Sequence, residues 1–167
     1  MVRFKRRYLL VEISFQDKKV DEDLTSTCLY QKIIQAIQEC HGDYGVACTW
    51  LLKVKYVNPV TGVAFIACHR DYYRMVWSAM TFIKKLKQRL CMWRVLHIGG
   101  TLRSCQRFLI RYNKDQLLQA LQQCKTPAER KRVLRTIKKA EKFEIPLDPL
   151  ETKKRKASTK GSYNNND

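Results

Sequence analysis

Arg103, Arg107 and Arg111 recur every four residues, the step that sets side chains on one helix face about 6 Å apart. Arginine presents five donors in a planar fork and keeps its charge, so such a row suits a chain of phosphodiesters better than a lone carboxylate. Gly99-Gly100-Thr101 stands just before it. Backbone N–H groups there, with the start of a following helix, add an anion site. The same row reads equally well as the solvated face of an ordinary amphipathic helix, and spacing alone does not separate the two. Other chemistries find less support. His41, His69 and His97 stand alone, and no carboxylate pair falls at helical or strand spacing on a cleft. Cys68 and His69 are neighbours on a strand and so point to opposite faces. There is no P-loop and no dinucleotide fingerprint. No catalytic residue and no metal site are expected. Seven scattered cysteines with no CxxC pair, mostly on apolar faces, read as reduced, buried thiols of a cytosolic or nuclear protein.

The elements that must position the arginines follow from periodicity. Residues 6–15 alternate, with Leu9, Val11, Ile13 and Phe15 on one face and Tyr8, Leu10, Glu12 and Ser14 on the other, so they form a strand. After the acidic loop Asp17–Asp23, a helix is expected over Thr25–Cys40, with Gly42 as its stop and His41–Gly45 as a turn-rich link. Residues 47–57 and 62–69 read as two strands joined in a hairpin at Asn58–Gly62. Asp71 is placed to cap a helix over Tyr72–Lys87 with Met75, Val76, Ala79, Ile83 and Leu86 inward. A last strand, Cys91–Ile98, runs into Gly99-Gly100. Thr101 then caps the arginine helix, whose stripe of Leu102, Cys105, Phe108, Leu109 and Tyr112 can dock on a sheet.

This order predicts an α+β fold, the β-α-β-β-α-β sandwich of ferredoxin-like and RNA-recognition domains, with an antiparallel sheet and extra C-terminal helices. Two helices cover one sheet face. The other is left for a partner or for the C-terminal helices. The domain is expected to span residues 1–125, with a basic helix over 126–145 and a disordered basic tail over 146–167. Asn113 is placed to cap a short helix through Cys124, and Thr126-Pro127-Ala128-Glu129 has the residues of a helix start. The basic helix is either RNA-facing or simply charged and exposed. Lys153, Lys154, Arg155 and Lys156 fit a short nuclear-import signal, with a solvated charge cluster as the plainer alternative.

Lysine and arginine number 33 against 15 acidic residues, a net charge of +18. The first 125 residues carry 21 basic and 9 acidic side chains, so the excess belongs to the domain and not only to the tail. Phosphates relieve that self-repulsion, which favours a polyanionic partner. A membrane partner is not expected, since no apolar run is long enough to span a bilayer. The basic N-terminus carries Glu12 in its short apolar stretch and is read as a mature strand, not a signal peptide. The strand Thr61–Cys68 matches the RNA-recognition stacking motif only in part, because Val63 and Cys68 stand where aromatics belong. Phe65 is therefore expected in the core, and Trp77 is read as core or protein-facing, with core preferred.

Several segments together resemble a known family. They are Met1-Val2-Arg3-Phe4-Lys5-Arg6-Arg7-Tyr8-Leu9, the His41–Gly45 turn, Thr61-Gly62, Val76-Trp77-Ser78-Ala79, and above all Gly99-Gly100-Thr101-Leu102-Arg103-Ser104-Cys105-Gln106 through Asn113. In order over residues 1 to about 125 they resemble the Pop five family, protein subunits of eukaryotic ribonuclease P and ribonuclease MRP. The resemblance implies a protein that does no bond-breaking itself. The RNA subunit, with its own magnesium and no cofactor on the chain, matures the 5′ end of precursor tRNA or processes precursor ribosomal RNA. It implies an RNA-recognition-like sandwich paired with a TIM-barrel-like protein subunit among other holoenzyme proteins, in the nucleus and nucleolus. Precursor tRNA would be met only indirectly. RNA backbone contacts are then expected at Arg3, Lys5, Arg6 and Arg7, and at Thr101, Arg103, Arg107 and Arg111. Lys53, Lys55 and Arg70 are added on charge alone. A free-standing module for single-stranded RNA is the alternative, and a scaffold whose charge serves solubility and import is a third.

Overall fold

The strand Arg6–Phe15 (β1) is apolar on both of its faces, and it lies at the centre of the sheet. The structure is a computed structural model that describes residues 5–17, 19, 21 and 23–123. In chain order the remaining elements are α1 (Ser26–Cys48), β2 (Lys53–Asn58), β3 (Val63–His69), α2 (Tyr73–Thr81), β4 (Lys85–Leu86), β5 (Arg89–Gly99) and α3 (Leu102–Gln123). The sheet order is β2-β3-β1-β5-β4 with every neighbouring pair antiparallel, the ferredoxin-like arrangement extended by one short edge strand.

One face buries Leu9, Val11 and Ile13 against Leu29 and Ile33 of α1 and Val76 of α2. The other buries Tyr8, Leu10 and Phe65 against Leu102, Cys105 and Leu109 of α3. The second sheet face is therefore covered by the arginine helix itself. A strand buried on both faces must be apolar at successive positions, which is why Leu9-Leu10-Val11 carries no polar side chain. Phe65 is fully buried and meets the ring of Tyr56 edge-on at 5.9 Å. It belongs to the core, as its partial motif match implied.

Several expectations need correction. The first helix does not end at Gly42. Gly42 holds φ 63 and ψ −161, a backbone region essentially reserved for glycine, and helix resumes beyond this kink to Cys48. Residues 47–48 are thus helical, and β2 begins only at Lys53. Asp71 is not the cap: its N–H donates to His69 Nδ1 at 3.2 Å, and Tyr72 stands at the cap position with no side-chain capping bond. The second helix stops at Thr81, and Ile83 and Leu86 reach the core from a loop and from β4. Lys87 and Gln88 make the β4–β5 turn with φ of 47 and 64, a task usually given to Asn or Gly, so no turn signal marks it. Met80 is buried where the spacing pointed to Met75, and Trp77 is 41% exposed. Asn113 caps no separate helix, because α3 runs through it. The expected helix and tail over 126–167 lie outside the described residues.

Candidate nucleic-acid interface

The last residue of β5 passes directly under the first turn of α3. A Cβ on Gly99 would stand 2.8 Å from Cys105 Sγ, so the approach needs a residue with no side chain. Thr101 Oγ1 accepts from the Ser104 N–H at 3.2 Å and starts the helix as its side chain predicts. With Leu102, Cys105 and Leu109 held on the sheet, Arg103, Arg107 and Arg111 face solvent in a row. They line a groove of about 430 Å³ whose wall also includes Thr101 and Ser104, with the rings of His97 and Phe108. His97 and Phe108 are stacked, with centroids 4.6 Å apart and planes 7° from parallel. His97 Nε2 lies 3.4 Å from Ser104 Oγ.

The strand register gathers more cations at the same end of the sheet. Arg6 pairs with His69, the Arg70 N–H donates to the Lys5 carbonyl at 2.9 Å, and Tyr8 pairs with Gly99. Arg7 reaches furthest: its Nη1 lies 3.2 Å from where a Cβ on Gly100 would stand. Its guanidinium thus extends the arginine series from α3 onto β1. Lys53 and Lys55 do not join this group. They sit on edge strand β2, three strand positions or about 14 Å from β5, and Lys55 falls at a register shift. Arg3 and the four tail residues Lys153, Lys154, Arg155 and Lys156 lie outside the described residues.

Three other cations are already held by carboxylates. Arg89 holds Asp17 at 2.7 Å, Lys87 lies 3.5 Å from Asp21, and Arg94 Nε donates to Glu12 at 3.1 Å. The hydrogen bond from Arg89 keeps the Asp17 carboxyl below its ordinary range. Among the described residues, no carboxylate pairs with Arg103, Arg107, Arg111 or Arg7. Among the described residues, Asp17 and Asp21 of the acidic loop thus pair with Lys87 and Arg89, while the groove arginines have no carboxylate partner.

The histidines, expected to stand alone, each have a neighbour. His41 Nε2 lies 3.0 Å from Ser78 Oγ, but that hydroxyl donates to the Met75 carbonyl at 3.0 Å, so the contact ties α1 to α2. His69 sits 3.6 Å from Asp71. Burial pushes the Cys68 thiol up to about 12 and the Cys105 thiol up to about 11, so both stay protonated and poorly nucleophilic. Among the described residues no cluster of three His, Cys, Asp or Glu could hold a metal, and no helix is long and apolar enough to cross a membrane. Sequence reasoning missed His97 and Ser104 as groove residues and placed Phe108 only in the apolar stripe. Nothing local marks a strand histidine that will stack on a helix phenylalanine.

A ferredoxin-like α+β domain with an unneutralised arginine groove on its third helix is the class that fold and site define together. More narrowly, the chain belongs to the Rpp14/Pop5 family, whose profile matches residues 7–110. It is 39% identical over 145 residues to the ribonuclease P/MRP protein subunit POP5 of Mus musculus, covering 84% of this chain and 86% of that protein. It is 42% identical over 144 residues to the protein of the same name from Danio rerio, covering 82% and 85%. The Saccharomyces cerevisiae protein of that name is 29% identical over 138 residues, covering 70% and 80%. A chain in a cryo-EM structure of yeast ribonuclease MRP superposes with a TM-score of 0.44 at 14% identity over 75% of this chain and 98% of that one, too loosely to add weight.

Proposed function

We propose that this chain is a protein subunit of ribonuclease P and ribonuclease MRP that grips the catalytic RNA and leaves bond cleavage to it. The carrying observation is the arginine row on α3, exposed and without acidic partners among the described residues. Relatives matching most of its length bear that subunit's name. Arg7, Arg103, Arg107 and Arg111 take phosphates, with Thr101, Lys5, Arg6 and Arg70 beside them. Magnesium sits on the RNA, and the chain binds no cofactor. The particle matures precursor tRNA 5′ ends and processes precursor ribosomal RNA in the nucleus and nucleolus. A TIM-barrel-like subunit is the protein partner. Exposed Tyr30 and Trp50, on the α1 side of the sheet, give apolar surface for a protein away from the groove.

Purifying the tagged chain from cells and sequencing the RNA that comes with it tests this reading. One dominant catalytic RNA supports it. A mixture of RNAs supports the free-standing module, and no RNA supports the scaffold. A free-standing module that stacks bases on the sheet is already disfavoured, because Phe65 is sealed beneath α3.

A further inference from the structure

The groove contains more than charge. A row of arginines would serve a duplex backbone as well as a single strand, and would need no ring beside it. Here two rings stand in the wall, parallel and 4.6 Å apart. The pair is braced from behind. Phe108 lies parallel to Tyr112 with centroids 6.3 Å apart, and the Tyr112 hydroxyl accepts from Arg94, itself held by Glu12. Ser104 steadies the His97 ring, and Phe108 packs at the margin of the α3 core. His97 is only half-buried, so ring surface faces the groove. Aromatic faces beside arginines are what unpaired bases use, whereas the bases of a duplex are already stacked on each other. The volume, about 430 Å³, lies within the roughly 300–1,000 Å³ of small-ligand sites.

From this geometry we infer that the groove between β5 and α3 takes an unpaired RNA nucleotide, its base on the His97–Phe108 pair and its phosphates on Arg103, Arg107 and Arg111. The inference rests on the RNA-facing reading of the groove and narrows it to a single strand. An acidic peptide is the weaker candidate, since a carboxylate gains little from a ring face.

The test uses the full chain and three labelled probes: a ten-nucleotide oligouridylate, the same strand with abasic riboses, and a short RNA duplex. His97→Ala and Phe108→Leu should each weaken uridylate binding roughly 5- to 150-fold, the range expected for one stacked base. They should leave the salt slope and abasic binding unchanged. Melting curves check folding, and half-buried His97 carries the test if Phe108→Leu unfolds. Equal losses on the abasic strand, no loss on uridylate, a duplex bound as tightly as the single strand, or competition by oligoglutamate would each overturn the inference. If Arg103→Ala with Arg107→Ala flattens the salt slope while both ring variants bind normally, the backbone reading survives and the nucleotide site falls. If the arginine pair changes nothing, the RNA-facing reading itself falls.

Discussion

Arginines close together in sequence do different work here, and a double substitution separates them. Arg103 and Arg107 meet no carboxylate among the described residues, whereas Arg94 is held by Glu12 and Tyr112. Removing one arginine from a phosphate should reduce the slope of log K against log salt by about 0.7–0.9, so Arg103→Ala with Arg107→Ala should flatten it by about 1.4–1.8. Arg94→Ala should leave that slope alone and cost at most about 1 kcal/mol, because an exposed ion pair contributes little. Salt titrations of RNA binding on the three proteins make the comparison. Phe65→Ala should act through stability alone, costing about 3–5 kcal/mol as a buried ring is removed. Urea unfolding reads that loss.

At the scale of elements, the packing of β5 against α3 fixes where the arginine row stands. Gly99→Ala would drive a methyl into Cys105 Sγ, and relief requires α3 to shift, at a cost of about 1–3 kcal/mol typical of overpacking. A lowered Tm together with weaker RNA binding is the expected result. The acidic loop is tied down differently. Arg89 lowers the Asp17 carboxyl below its ordinary 3.8, so this tie stabilises above that value and is lost as pH falls through the lower folded one. Asp17→Asn should therefore destabilise slightly at pH 7, and the difference should shrink as pH falls below 3.8. Urea midpoints at neutral and acid pH check this, and high salt should shrink the effect because the pair is exposed.

At the scale of the molecule, charge among the described residues is sorted by end. Asp17 and Asp21 meet Lys87 and Arg89 at one end of β1, while Lys5, Arg6, Arg7 and Arg70 gather at the other beside the start of α3. Charge sorted this way draws a polyanion toward the end where the groove lies. The tail has its own test. Replacing Lys153, Lys154, Arg155 and Lys156 by alanine should shift a fluorescent fusion from nucleus to cytoplasm without altering RNA binding by the purified chain. Unchanged nuclear fluorescence would count against an import signal there.

Local order is legible in the residues themselves. Alternation over residues 6–15, the Thr101 cap and the four-residue arginine step each depend on neighbours within a turn or a strand, so a short window of sequence contains them. The same logic overruns where a local pattern has two solutions. The apolar spacing through Ile83 and Leu86 suits a helix, yet the chain turns at Lys87-Gln88 into a hairpin. Tertiary structure alone decided which cations are free, since Glu12 reaches Arg94 and Asp17 reaches Arg89 only through strand register. It also carried Arg7 to Gly100 and laid His97 on Phe108. Residues remote in sequence meet only when the sheet closes, and no local pattern records which partner each will find.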